Sequence, residues 1–514
     1  MVYRVLIANG GEVAIRIART LIENGFTPLG VYTHTDRDSL HRKYVVEDFE
    51  IHSYEDVDEV IYAAQQLGAD GVHPGYGVLL NESEYVEKII RSGLVFIGPP
   101  QSMVSVSRDK IALKTYAEKI GIPTLPWLVV EKPEDVIEFA SDYGYPLILK
   151  PVAGKWGIGV RVVYSEGEVE DKYEYSKSIA SKFFKDPRIY VEPFITSAKH
   201  IEVQVISDRE KVIHFYDREC LISPRFRRLL IEALSPSLKS ETRKMILDYA
   251  VQLAQSLRYE NTGVVEFLYD PRADRVYFVE LNPGLSPEHS VSEVILKKDI
   301  VRRQLEIAFY RVTSLKQEEV SVDGCAIQSN IYAENPITGE KSNGRVEYYM
   351  EPGGPGVWVE SELYEGLTST PRELVAKIIA WSVDRKTCLA RIKRALNEVV
   401  VGGLQANIDY LRQLLNSSVF ESGEYNFGEV EKVDRLIASR LNEIEDLHAV
   451  VLSSLLEFDD KGAKKYVRRS KALSSILRGE KVSSLKRSAW HYYIALKTTL
   501  ERHYSQPKRR EKRR

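Results

Sequence analysis

Residues 263–289, GVVEFLYDPRADRVYFVELNPGLSPEH, place two carboxylates where carboxylates are poorly tolerated. The apolar, β-rich runs 264–269 and 275–281 flank a turn containing Pro271 and Asp274, which predicts a hairpin. Glu266 lies in the first run and Glu280 in the second, with Asn282 two residues further on and so on the same strand face. A carboxylate inside an apolar strand is unfavourable unless paired or metal-bound. Two on neighbouring strands repel each other, and an oxygen-preferring dication, Mg²⁺ or Mn²⁺, holds such a set together. The alternative is two surface glutamates on exposed strand faces.

A second group of residues has the chemistry to meet an anion. Strand 147–150 ends in Lys150, and PVAGKWGIGV at 151–160 follows it. Glycines after a strand let backbone N–H groups close over phosphate, and the lysine reaches the same anion. A plain hairpin with one surface lysine is the competing reading. Gly10 and Gly11, at the first strand-to-helix turn, are a weaker phosphate-loop hint because their spacing is not GxGxxG. Strands at 189–195 and 200–206 carry His200 and Glu202, and the basic loop SPRFRR at 223–228 precedes Glu232.

The elements that must position these groups begin with a strand at 4–8, a helix ending near Gly25 and a strand at 28–33, the alternation of a parallel sheet with crossover helices. DGVHPGYG at 70–77 marks close packing at a strand end, and VFIGPP at 95–100 closes that unit. A linker near 101–107 is expected to lead to a helix over 108–120. Beyond the hairpin come a helix over 291–310, strands at 325–332 and 345–349, a turn at 351–356 and a helix over 372–382, together a mixed α+β unit. Leu436, Ile437, Leu441, Ile444, Leu447, Val451 and Leu455 recur at helical spacing, which predicts an amphipathic helix over 433–457.

At 514 residues the chain has room for roughly three domains. Its 44% hydrophobic and 28% charged content are those of a water-soluble globular protein. Apolar runs fall well short of the ~20 residues of a membrane span, and MVYRVLIANGGE enters a strand without a signal-peptide profile. The expectation is a cytoplasmic protein with no membrane association. Cys220, Cys325 and Cys388 are odd in number and far apart, which argues against a disulfide framework or a zinc site. The net charge of −3 hides an asymmetry, since residues 461–514 hold 18 Lys/Arg against 3 Asp/Glu. That basic tail, with an aromatic-rich segment at 488–504, fits an anionic partner, either nucleic acid or an acidic protein surface, or else a solvated end.

The order IANGGEVAIRI, HPGYG, VFIGP, RDK, GYPLILK, KHIEVQV, the EFL and VELN pair, PEHSVSE and GGLQANIDYL resembles the biotin carboxylase subunit of acyl-CoA (acetyl- or propionyl-CoA) carboxylases, an ATP-grasp family, from residue 3 to about 430. The resemblance implies an α/β and α+β protein. Its parts would be a Rossmann-like N-terminal domain over 1–102, an ATP-grasp domain over 103–320 with a mobile lid at about 123–194, a C-terminal α+β domain over 321–432, and an added helical, basic tail over 433–514. It implies ATP and Mg²⁺ (or Mn²⁺) as cofactors. Lys110 and Lys150 match phosphate-binding lysines, His200 a histidine near the nucleotide, and Glu192 and Leu268 the adenine pocket. Glu266, Glu280 and Asn282 match the metal ligands, and Glu288 the general base.

Departures from the family pattern fall on the nucleotide lid and, more heavily, on the substrate side. Lys155 and Trp156 interrupt the lid glycines, and Pro193 replaces a lysine beside adenine. Gly284 and Ser286 stand where the family's NTRxQVEH segment has its anion-clamping arginine and glutamine. Arg228 replaces a bicarbonate-holding lysine, Trp358 replaces the arginine that stabilises the biotin enolate, and Thr370, Pro371, Arg372 and Glu373 replace YYDS. Three readings follow. The first is a non-catalytic or impaired structural or regulatory subunit of an acyl-CoA carboxylase, a homo- or hetero-oligomer whose partners are the biotin carrier protein, the carboxyltransferase and an active paralogue. The second is an active biotin carboxylase or other ATP-grasp ligase with a reshaped acceptor pocket. In the third and weakest, the basic tail binds nucleic acid.

Overall fold

A computed structural model describes residues 2–456 except Asn81, Trp156, Pro224 and 369–371. The expectations for Trp156, Thr370, Pro371 and the basic tail lie outside the described residues, as do those for the side chains of Ile444, Leu447, Val451 and Leu455.

Among the described residues the strands form four sheets. Strands β1 (Arg4–Ile7), β2 (Thr27–Tyr32), β3 (Glu47–Glu50), β4 (Gly71–His73) and β5 (Val95–Phe96) make a parallel sheet in the order β3-β2-β1-β4-β5. β1 and β4 are buried almost throughout because crossover helices cover the sheet faces, among them Gly11–Glu23 and Val57–Gln66. Strands β6 (Leu128–Val130), β7 (Leu147–Pro151), β8 (Arg161–Val163) and β9 (Ile189–Pro193) form a small antiparallel sheet. Val136 and Phe139 of one helix and Tyr173 and Ala180 of another pack against it.

The largest sheet joins β10 (Lys199–Asp208), β11 (Val212–Ile222), β12 (Arg228–Ala233), β13 (Glu260–Asp270), β14 (Arg275–Pro283) and β15 (Cys325–Tyr332) to two later strands. A short strand β16 (Tyr348–Met350) comes next in the chain, then β17 (Val357–Ser361), β18 (Leu374–Ser382) and β19 (Val400–Gly402). The large sheet runs β14-β13-β10-β11-β12-β15-β18-β17, while β16 pairs with β19. Alternation along its strands separates core from chemistry. Ile201, Val203, Val265 and Phe267 pack with Ile246, Ala250 and Leu253 of the helix Ser240–Ser256. The intervening His200, Glu202, Glu266 and Leu268 must point to the other face.

Several expectations are corrected. Residues predicted as a helix over 372–382 form strand β18. In LVAKIIAWS only Lys377 and Ser382 are polar, too few to set a period, and pairing to β15 on one edge and β17 on the other decides. The helix over 291–310 is two, His289–Leu296 and Ile300–Tyr310, broken where Lys297 turns left-handed and Asp299 caps the second. The linker near 101–107 is helical (Gln101–Arg108), and the next helix restarts at Lys110 because the Asp109 carboxylate accepts from the Ile111 and Ala112 N–H groups. The strand expected at 345–349 is confined to β16. The amphipathic helix starts earlier, at Phe427–Leu456, and its buried stripe is Val430, Val433, Ile437 and Leu441, with Leu436 exposed. No described helix is long and apolar enough to cross a membrane.

The Gly10 and Gly11 turn is not shaped for phosphate. Arg372 fills it, since a Cβ on Gly10 would collide with that guanidinium and with Tyr54, and Arg372 bonds Asp36 at 2.7 Å. These glycines admit a side chain from the C-terminal part of the chain.

Candidate functional site

The hairpin of β13 and β14 sets Glu266 directly opposite Glu280, next to a register irregularity. Like charges in that relation repel, and the surrounding residues resolve the conflict. The Asn282 amide sits between them, donating to Glu266 at 2.6 Å and to Glu280 at 3.1 Å. His200 Nε2 lies 2.8 Å from Glu266, Arg228 pairs with the same carboxylate, and Lys110 Nζ is 3.0 Å from Glu280. Burial works against ionisation of Glu280, but Lys110, with Arg228 and Asn282, holds its pKa down at about 2.

Glu202, on β10 opposite Glu266, adds a third buried carboxylate. Arg218 Nε bonds it at 2.8 Å and Arg228 Nε at 2.6 Å, so despite desolvation the two guanidinium groups keep its pKa low. Glu288, just before the helix His289–Leu296, is buried as well. Its pKa is raised by burial first and by Glu202 second, against the pull of Arg228 and Arg218.

These strands face the small sheet across an open cleft. Lys110, Lys150, His200, Leu268 and Glu280 line it, and Phe427 closes one side. Lys110 also binds the Gly154 carbonyl of the 151–160 loop, and Lys155 donates to the Leu80 carbonyl at 3.2 Å, tying that loop to the N-terminal region. Burial first, then Lys110 and Arg108, lower the Lys155 pKa to about 8.

Seven of the ten predicted site residues line this cleft, namely Lys110, Lys150, His200, Arg228, Glu266, Leu268 and Glu280, while Asn282 bonds two of them and Glu288 lies in the field of Arg228. Glu192 does not line the cleft. Its carboxylate, 1% exposed, is held between Lys114 and Lys150 at the end of β9, so it positions Lys150. Arg218 and Lys114 belong to the network but were not predicted. Arg218 sits in the charged run Asp217-Arg218-Glu219, where no period singles it out, and Lys114 shows no distinguishing pattern in its helix. His200, Glu202 and Cys220 also offer ligand atoms within 4.8 Å of one another, but Arg218 and Arg228 already occupy Glu202.

Positions 284 and 286, which the resemblance assigns to an anion clamp, hold a glycine and a serine. Gly284, at φ +88°, lies against the Leu80 side chain, which takes the space a larger residue would need. Ser286 accepts from Arg218 at 3.0 Å. Trp358, on edge strand β17, is 46% exposed.

Two sheets closing on a cleft lined by lysines and paired carboxylates define an ATP-grasp fold. Residues 1–104 match the biotin carboxylase N-terminal domain, 109–315 the ATP binding domain of the carbamoyl-phosphate synthase L chain, and 328–432 the biotin carboxylase C-terminal domain. The biotin carboxylase of Pseudomonas aeruginosa is 36% identical over 444 residues, covering 84% of this chain and 98% of its own. Biotin carboxylase 1 of Bacillus subtilis is 35% identical over 446 residues, covering 84% of this chain and 99% of its own. The biotin carboxylase domain of Hydrogenobacter thermophilus 2-oxoglutarate carboxylase, solved with MgADP, ADP and bicarbonate, superposes with a TM-score of 0.81 at 31% identity, covering 85% of this chain and 99% of that one. The chain belongs to the biotin carboxylase family.

Proposed function

We propose that this chain binds Mg-ATP and lacks bicarbonate-dependent carboxylation at ordinary enzyme rates, serving as a structural or regulatory subunit of an acyl-CoA carboxylase. One observation carries the reading. The two guanidinium groups acting on Glu288, Arg228 and Arg218, are already bonded to carboxylates, and Leu80 packs against Gly284 where an anion clamp would stand. Charge-assisted hydrogen bonds contribute about 1.5–3 kcal/mol each, and losing one preorganised charge stabiliser typically costs ~10²–10³ in rate.

The nucleotide side supports the binding half. Glu266, Glu280 and Asn282 converge as a hard-oxygen donor set suited to Mg²⁺, because the Asn282 amide can present its oxygen where it now presents nitrogen. Bound there, the ion would neutralise nucleotide phosphate charge. Lys110 and Lys150 would hold the phosphates, His200 would stand beside them, and Leu268 would meet the base. The biotin carrier protein, the carboxyltransferase and an active paralogue are the partners proposed for the chain, with 433–514 as the docking segment.

Isothermal titration with Mg-ATP, followed by phosphate release with bicarbonate and free biotin, tests this. Binding without bicarbonate-dependent turnover is expected; turnover at ordinary enzyme rates overturns the reading. A second reading, a ligase with another acceptor, draws on buried Glu288, whose raised pKa suits a base. It requires ATP turnover dependent on some carboxylate other than bicarbonate.

A further inference from the structure

Cys325 opens β15, and Cys388 is the fourth residue of the helix Arg385–Glu398. Far apart in sequence, they meet in the fold. Cys325 pairs with Ser382 of β18, and Ile327 with Ala380. Residues two apart share a sheet face, and the helix lies on this one, where Ile327, Ala380, Cys388 and Ile392 share a core that Cys325 borders. The Cys388 thiol donates to the Ala380 carbonyl at 3.2 Å, which places it over the strand face that carries Ile327 and Cys325.

The two thiols are not equivalent. Cys388 is fully buried, while Cys325 is partly exposed and within the field of Arg385. The nearby Cys388 holds the Cys325 thiol below its ordinary value, and Cys325, with burial, pushes Cys388 up. An accessible thiol of lowered pKa beside a second, resolving thiol is the arrangement of redox-active pairs. Among the described residues, no cluster of potential metal ligands includes either cysteine.

We propose that Cys325 and Cys388 form a reversible disulfide by exchange with a low-molecular-weight disulfide, stapling β15 to the helix Arg385–Glu398. The Cys325 thiolate attacks one sulfur of the small disulfide, breaking its S–S bond and expelling a thiolate that takes up a proton. Cys388 then gives its proton to water and attacks the Cys325 sulfur of the mixed disulfide, expelling the second small thiolate. Two protein thiols are oxidised, and one small disulfide is reduced to two thiols.

Incubation of the full chain with oxidised glutathione, acid quenching, alkylation and peptide mapping tests this. The expected product joins the Cys325 and Cys388 peptides, lighter by two hydrogens than the reduced pair, with Cys220 alkylated and dithiothreitol reversing the change. Cys388→Ser should instead accumulate glutathione on Cys325, because the resolving thiol is gone. Recovery of both cysteines alkylated from the wild-type chain, or of glutathione stably retained on Cys325 in it, overturns the proposal, and neither result depends on a variant folding.

Discussion

Gly284 and Leu80 illustrate how one residue can decide what a site accepts. At φ +88° the backbone disfavours any side chain, and a Cβ at 284 would strike Leu80. Gly284→Arg is therefore expected to lower stability by about 1–3 kcal/mol in urea melts. Measured again in a Leu80→Ala background, it should cost less, with a coupling of about 0.5–3 kcal/mol; strict additivity would show that the two side chains do not compete for one space. Glu280 makes a prediction of opposite origin. Its folded pKa of about 2, against the usual 4.5, means that its ionised form stabilises the fold above pH 4.5 and that this contribution is lost as pH falls from 4.5 toward 2. The stability difference between wild type and Glu280→Gln should shrink by up to about 3 kcal/mol across that window. A difference independent of pH would remove Lys110 as the residue holding Glu280 ionised.

At the scale of elements, Arg372 reaches from just before β18 into the turn between β1 and the helix Gly11–Glu23, bonding a fully buried Asp36. Removing one partner of a buried ion pair typically costs about 3–5 kcal/mol, so Arg372→Ala should lower the melting temperature markedly. Gly10→Ala is expected to destabilise by about 1–3 kcal/mol through its clash with that guanidinium, and to be partly relieved when Arg372 is also truncated. The β13 and β14 hairpin was legible because two apolar, β-rich runs flank a turn with Pro271 and Asp274, and each run carries one carboxylate, Glu266 and Glu280, with Asn282 two residues further on. β18 was not legible because Lys377 and Ser382, the polar residues of LVAKIIAWS, are too few to set a period; neighbours on both edges made it a strand. The break at Lys297 and the restart after Asp109 depend on single caps inside otherwise helical patterns. Contacts between separate segments, such as Arg372 in the glycine turn or the Cys388 thiol against the Ala380 carbonyl, leave no trace in spacing at all.

Over the whole molecule, the cleft gathers positive groups from separate layers: Lys110 from the helix before the small sheet, Lys150 from that sheet, and Arg228 from the large one. Each is now satisfied by a carboxylate of the protein itself, which is what allows so charged a cleft to fold without a ligand. A Mg-nucleotide would bring both signs at once, the dication to Glu266 and Glu280 and the phosphates to the lysines, so every pair would exchange partners and none would be left bare. Lys150 separates folding from binding in this scheme. Lys114 also pairs with Glu192, so Lys150→Ala leaves that buried carboxylate compensated and should fold nearly as stably as wild type. Nucleotide at a hundred times its dissociation constant stabilises a binding-competent chain by about 2.7 kcal/mol. At that Mg-ADP concentration the wild-type melting temperature should rise, and that of Lys150→Ala should rise far less. An equal rise in both would remove Lys150 from the phosphate site, and no rise in either would remove the nucleotide from the cleft.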